Sequence, residues 1–170
     1  MAVPTPDLFW LVAEEALQCV CTALADTACG CPCRACVVFG PPVWDQCCDG
    51  GQLTTFLERV YVAKSFPSAE TGQITCSAPL AGDFVIQLLR CVPTVAEDGT
   101  PPSCQAISDS AKSIYTDMYV AFRAIICCLA AYKKLRTFTI REARPVGPQG
   151  GCAGFEIRFT IELVDPIPVI

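Results

Sequence analysis

Six cysteines between positions 29 and 48 are the residues with the clearest capacity for chemistry. They are Cys29, Cys31, Cys33, Cys36, Cys47 and Cys48. Residues 33–36 form a C-x-x-C motif, which can supply half of a four-cysteine zinc site or act as a redox pair. A second C-x-x-C is missing, and the motif precedes a predicted strand instead of opening a helix, where a thiolate would be stabilised. We therefore predict no bound metal and no cofactor, and we interpret the cluster as free thiols mixed with disulfides.

Histidine is absent from the chain. Its absence removes the commonest general base and excludes Cys-His and Ser-His catalysis within the chain. The glycine-rich stretch from Gly147 to Gly154 has no Lys-Ser/Thr pair and is followed by a strand, so it predicts a hairpin and not a phosphate-binding loop. Because no convergent acid pair or nucleophile–base set is visible, no catalytic residue is predicted and the chain is expected not to be an enzyme.

Cys91 and Cys104 are the candidate disulfide. Cys91 ends a predicted strand and Cys104 starts a predicted helix, so the loop between them could bring the two sulfurs together. Cys19, Cys127 and Cys128 fall within helices and are expected in the core. Other pairings remain open, and they involve Cys36, Cys47, Cys48, Cys76 and Cys152.

The composition is unusually apolar. Of 170 residues, 52% are hydrophobic and only 17% are charged, which predicts either a large core with buried cysteines or extensive subunit interfaces. The length suits a single domain over residues 1–170. The net charge of −5 argues against a surface that binds nucleic acid. Residues 1–17 lack a basic start and contain Glu14 and Glu15, so no secretory signal is predicted.

Hydrophobic periodicity and turn residues predict two helices and five strands in the order α-β-β-β-α-β-β. The helices cover about residues 6–26 and 103–136, and the strands cover about residues 34–39, 52–66, 82–92, 137–146 and 154–164. The predicted fold class is α+β, with a mixed, mostly antiparallel sheet of about five strands and two helices on one face. Phe122, Ile126 and Leu129 are expected to face the sheet. The apolar part of the second helix, residues 119–132, is too short to span a bilayer and contains Arg123, so no membrane contact is predicted.

Exposed strand edges and an apolar tail predict a homo-oligomer, because a sheet edge invites pairing with another chain. The candidate contacts between subunits are a basic cluster and two tail residues: Lys133, Lys134, Arg136, Arg141, Arg144, Ile167 and Ile170. The alternative interpretation of the cluster is ordinary charge at a helix end and a strand edge. We expect a homomeric ring with acidic residues lining its hole, and Glu97 with Asp98 facing an adjoining ring or subunit.

Three patches resemble a known protein family. Residues 38–53 (VFGPPVWDQCCDGGQL), 89–93 (LRCVP) and 147–156 (GPQGGCAGFE) are similar to small proteins of tailed phages that infect actinobacteria, and most of all to tail terminators. The resemblance implies a ring, typically hexameric, that ends polymerisation of the tail tube and joins the tail to the head. It implies a tail tube protein and a head-completion or stopper protein as partners, with DNA passing through the lumen without specific binding.

The resemblance also implies a place in the virion, at the head–tail junction, after assembly in the host cytoplasm. It carries no active site over to this chain. Two alternatives are considered: another neck component, such as a head–tail stopper or connector, and a small Cys-rich zinc-binding or thiol-redox module.

Overall fold

Two helices and five strands make up the fold of the residues that the structure describes. A computed structural model describes residues 8–45, 47–75, 78–132 and 137–163. In chain order the elements are α1 (Leu8–Leu24), β1 (Arg34–Val37), β2 (Gln52–Val62), β3 (Leu80–Cys91), α2 (Cys104–Ala131), β4 (Thr137–Gln149) and β5 (Cys152–Leu163). The predicted α+β class and the predicted order of elements are confirmed.

The five strands form one sheet in the order β1-β2-β3-β5-β4. β1 runs parallel to β2, and every other neighbouring pair is antiparallel. The sheet is therefore mixed and mostly antiparallel, as predicted. β3 lies at its centre and is buried from Ala81 to Arg90, which fits the largely apolar sequence of that strand.

Both helices pack on the same face of the sheet, and the main core lies between them and the strands. Alternate side chains of β3 and β5 point into it, since strand residues alternate between faces. The rings of Phe84 and Phe159 stack there with their centroids 5.3 Å apart. Gly82 leaves room for Phe9 of α1, because a Cβ at position 82 would lie 2.6 Å from that ring.

α2 begins at its N-cap Ser103, whose Oγ accepts a hydrogen bond from the backbone N–H of Ala106 at 3.1 Å. Its buried residues recur every fourth position and are Asp117, Ala121, Ile125 and Leu129. The prediction that Ile126 faces the sheet is wrong, because that side chain is exposed, while Phe122 packs at the core edge. The apolar positions of α2 fit two neighbouring stripes on the helix surface, and the stripe that contains Ala121 is the one that packs on the sheet.

The two-residue turn of the β4–β5 hairpin is Gly150-Gly151, with φ of 57° and 77°. Two successive positive φ angles are typical of the type I′ turn that suits the twist of a hairpin. The predicted hairpin is confirmed.

α2 as a whole is long and apolar enough to cross a membrane by length and composition alone, so the absence of membrane contact stays a prediction. Only 22% of the apolar 18-residue stretch within this helix is buried inside the protein. One face nevertheless packs on the sheet and carries the buried Asp117. The helix thus has a core face and a largely uncovered apolar face.

Candidate functional site

An apolar groove of about 400 Å³ lies between the first half of α2 and the end of the β4–β5 hairpin. We call it the hairpin groove. Its lining comes from α2, from the end of β3 and from the hairpin: Val92, Pro93, Ile107, Ser110, Ala111, Ile114, Tyr115, Met118, Pro145, Val146, Gly147, Pro148, Ala153 and Gly154.

The chemistry of the hairpin groove is that of a binding surface. Among its described lining residues the only titratable side chain is that of Tyr115, so these residues include no acid–base pair and no carboxylate or amine that could activate the Ser110 hydroxyl. Three of its lining residues are prolines, which have no backbone N–H. Gly154 packs closely on β3, because a Cβ at position 154 would lie 1.7 Å from the Leu88 carbonyl oxygen. Such a groove suits an apolar peptide segment.

A stripe of exposed apolar side chains follows the outer face of α2 beside the groove. Ile107, Tyr115, Tyr119 and Ile126 are between 41% and 64% exposed. At 3.6 residues per turn these four positions fall within about 120° of the helix circumference. We call them the outer stripe. A contiguous exposed apolar stripe of this kind marks an interaction surface more often than scattered single residues do.

A second exposed apolar feature lies beyond β1, at the opposite edge of the sheet from β4. Phe39 is fully exposed, and Val43 in the same Gly-Pro-Pro loop is 73% exposed. The neighbouring Trp44 packs against Leu89 and the Cys47–Cys152 pair. Asp45 accepts a hydrogen bond from Arg34 at 2.5 Å. Trp44 and Asp45 are therefore structural here.

The sheet face away from the helices carries a polar cluster centred on the buried Asp83 of β3. Thr160 Oγ1 and Arg59 Nε each donate to its carboxylate at 2.5 Å, and Arg141 Nη1 lies 3.8 Å away. Burial by itself would raise the pKa of this carboxyl group. The hydrogen bonds from Thr160 and Arg59, together with the charge of Arg141, outweigh burial and lower the pKa of Asp83 below its ordinary value.

A second charged cluster lies on the same face. Arg144 and Arg158 both donate to Oε2 of Glu156, at 3.0 Å and 3.3 Å, and Arg158 also pairs with Glu58. The predicted contact residues Arg141 and Arg144 are thus paired within the chain, although each side chain is about half exposed. The other predicted contacts, Lys133, Lys134, Arg136, Ile167 and Ile170, lie outside the described residues.

Among the described residues, which do not include Cys76, four disulfides are formed: Cys19–Cys128, Cys21–Cys31, Cys47–Cys152 and Cys48–Cys91. The predicted Cys91–Cys104 pair is wrong, since Cys104 is a free, exposed thiol. Cys91 and Cys152 are register partners at the ends of β3 and β5. The adjacent cysteines Cys47 and Cys48 are therefore bonded to different strands, Cys47 to β5 and Cys48 to β3. Sequence reasoning left the pairings of these loop cysteines open, because a register is not visible from cysteine spacing.

Two further cysteine predictions can be compared with the structure. Cys127 is exposed and free, so its predicted core position is wrong. The next residue, Cys128, forms a disulfide with Cys19 of α1. Cys33 and Cys36 are free thiols. Among the described residues, one group of three metal-ligand types comes together, Glu15 with Cys19 and Cys128. Its two sulfurs are bonded to each other and so do not form a ligand set.

Comparison with known proteins adds no identification. No protein-family model matches this chain, and no curated protein sequence matches it at a significant level.

Proposed function

We propose that this chain is a ring-forming structural subunit of a tailed-phage neck, acting as a tail terminator that ends tail-tube polymerisation and joins the tail to the head. A head–tail stopper or connector is the nearest alternative within the same class. The proposal combines the resemblance of residues 38–53, 89–93 and 147–156 with the surfaces described above.

The observation that carries the proposal is the uncovered apolar area of α2. Its outer stripe leaves two tyrosines and two isoleucines in water, and aromatic residues are enriched where protein interfaces form. In the described chain, β1 and β4 are the edge strands on opposite sides of the sheet. Contacts between two different edges are head-to-tail, and they close into a ring when the rotation between subunits permits.

The charge balance suits the proposed lumen. The chain carries a net charge of −5, and an acidic wall gives DNA little electrostatic attraction. Glu97 and Asp98 lie in an exposed loop between β3 and α2. In the proposed ring this loop faces an adjoining ring or a neighbouring subunit.

The test is polymerisation of the tail tube protein from the same genome in the presence of this chain. A terminator is expected to bind tube ends and to halt further growth when added to growing tubes. A variant with Tyr119→Glu and Ile126→Glu is expected to lose this effect, whereas Ile74→Glu, a change at an exposed apolar residue in the connection between β2 and β3, retains it. Tubes that grow unchanged with the wild-type chain contradict the proposal.

The free thiols of Cys33 and Cys36 favour a second candidate, a small zinc-binding or thiol-redox module. Elemental analysis of protein purified without chelator separates the two. About one zinc per chain together with a monomeric mass supports the module, and an assembly without zinc supports the ring.

A further inference from the structure

We propose that residues 164–170 of one copy of this chain occupy the hairpin groove of a neighbouring copy. The inference rests on the proposed ring and names the contact that would join its subunits. It starts from two facts: an apolar groove in the described chain, and a seven-residue segment, VDPIPVI, that follows β5.

The position of Leu163 keeps the segment from reaching the Gly154 end of the groove of its own chain. Gly154 lines the groove, and β5 runs from there to Leu163. That stretch of strand spans about 30 Å at about 3.3 Å per residue. Residues 164–170 reach at most about 25 Å even at full extension. A groove on a second copy is not subject to this limit.

The chemistry of the segment matches the groove. Asp165 is its only charged residue, and Pro166 and Pro168 bring no N–H that would need a partner. Proline also disfavours simple continuation of β5 as a paired strand. Short proline-containing segments are stiff, so little conformational entropy is lost when they bind a groove lined by aromatic and proline side chains, such as Tyr115 and Pro148.

The first experiment measures binding of a fluorescein-labelled peptide of residues 164–170 to the full chain carrying Ile167→Asp and Ile170→Asp, whose own segment no longer competes for the groove. Saturable binding is expected. Ser110→Trp, which places a large ring in the groove, is expected to weaken it about tenfold or more. Ser108→Trp is the matched control, since Ser108 is exposed on the same helix and does not line the groove. Absence of saturable binding, or equal weakening by both variants, overturns the proposal.

The second experiment uses the full chain with a photo-cross-linker at position 167 and a mixture of heavy and light isotope-labelled protein. Cross-links between a heavy and a light chain, joining position 167 to residues 107–118, are expected. Cross-links confined to single chains overturn the proposal. A second sample carries the cross-linker at position 39 in place of position 167. Cross-links from position 39 into the groove of a neighbour would identify the Phe39 loop as the occupant, and they also overturn the proposal.

Failure of this inference is distinguishable from failure of the proposed function. If Ile167→Asp with Ile170→Asp leaves ring assembly unchanged, the docking proposal is overturned and the ring stands. If the full chain gives the expected cross-links between copies but neither binds tube ends nor halts their growth, the docking proposal stands and the proposed function is contradicted.

Discussion

Arg90 of β3 holds Asp117 of α2 in a buried ion pair. Its Nε and Nη2 both donate to Oδ2 of Asp117, at 3.0 Å and 2.9 Å, and the two side chains are 7% and 2% exposed. Arg90 also donates to the carbonyl oxygens of Gly30 and Gly50. One guanidinium therefore fixes α2, two loops and the central strand relative to one another. It sets the position of the helix that carries the outer stripe and one wall of the hairpin groove.

Breaking this pair from one side is expected to be costly. Arg90→Met leaves the carboxylate of Asp117 buried without its partner, which should lower the free energy of unfolding by about 3–5 kcal/mol. The double variant Arg90→Met with Asp117→Leu should recover much of that loss, because no unpaired charge remains. Arg144→Met, at a half-exposed pair, is the control and should cost at most about 1 kcal/mol. Urea denaturation measures all three, and equal losses for Arg90→Met and Arg144→Met would refute the argument.

Asp83 predicts a pH dependence of stability. Its folded pKa lies below the ordinary value, so its ionised form stabilises the fold above the unfolded pKa of about 3.9. That contribution is lost as the pH falls through the folded pKa. Asp83→Asn is therefore expected to be less stable near neutral pH and to lose less stability on acidification. Unfolding midpoints measured from pH 7 to pH 2 check this, and parallel profiles for the two proteins would contradict it.

The Cys19–Cys128 disulfide joins the two helices across 109 residues of sequence. Replacing both cysteines by alanine should lower the stability of the oxidised protein by about 2–5 kcal/mol. Cys127→Ala is the matched control, because that neighbouring thiol is free and exposed. The difference in the free energy of unfolding between the double-alanine variant and the unmutated protein should disappear in the presence of reductant. Free alkylation of Cys19 and Cys128 in the folded, unreduced protein would show that the bond is absent.

The sequence predicts the helices and strands better than the side-chain contacts between them. Alternation along β5 and apolar spacing in α2 were enough for the fold class. The Arg90–Asp117 pair was missed, since β3 and α2 each carry other charged residues and nothing in the local sequence joins these two. The signal that was available is that Asp117 lies four residues before Ala121, in phase with the helical stripe that the core buries. The hairpin groove could not be predicted because its walls come from three distant segments.

The outer stripe of α2 predicts where assembly can be blocked. Tyr119→Glu with Ile126→Glu places two charges where we propose a dry contact, and this should convert the assembly to smaller species. Because both side chains are already exposed in the single chain, its unfolding midpoint should change little. Size-exclusion chromatography with light scattering measures the effect, with Ile74→Glu, at another exposed apolar residue, as control. Loss of assembly in the control variant as well would show that the stripe has no special role.

The mass of the purified chain under native conditions, alone and with tail tubes, tests the central proposal most directly. A closed ring is expected at an integer multiple of the 18.2 kDa chain mass, most simply a hexamer, with one ring at the end of each tube. A chain that remains a monomer at every concentration, and that neither binds tube ends nor limits their growth, would contradict the account.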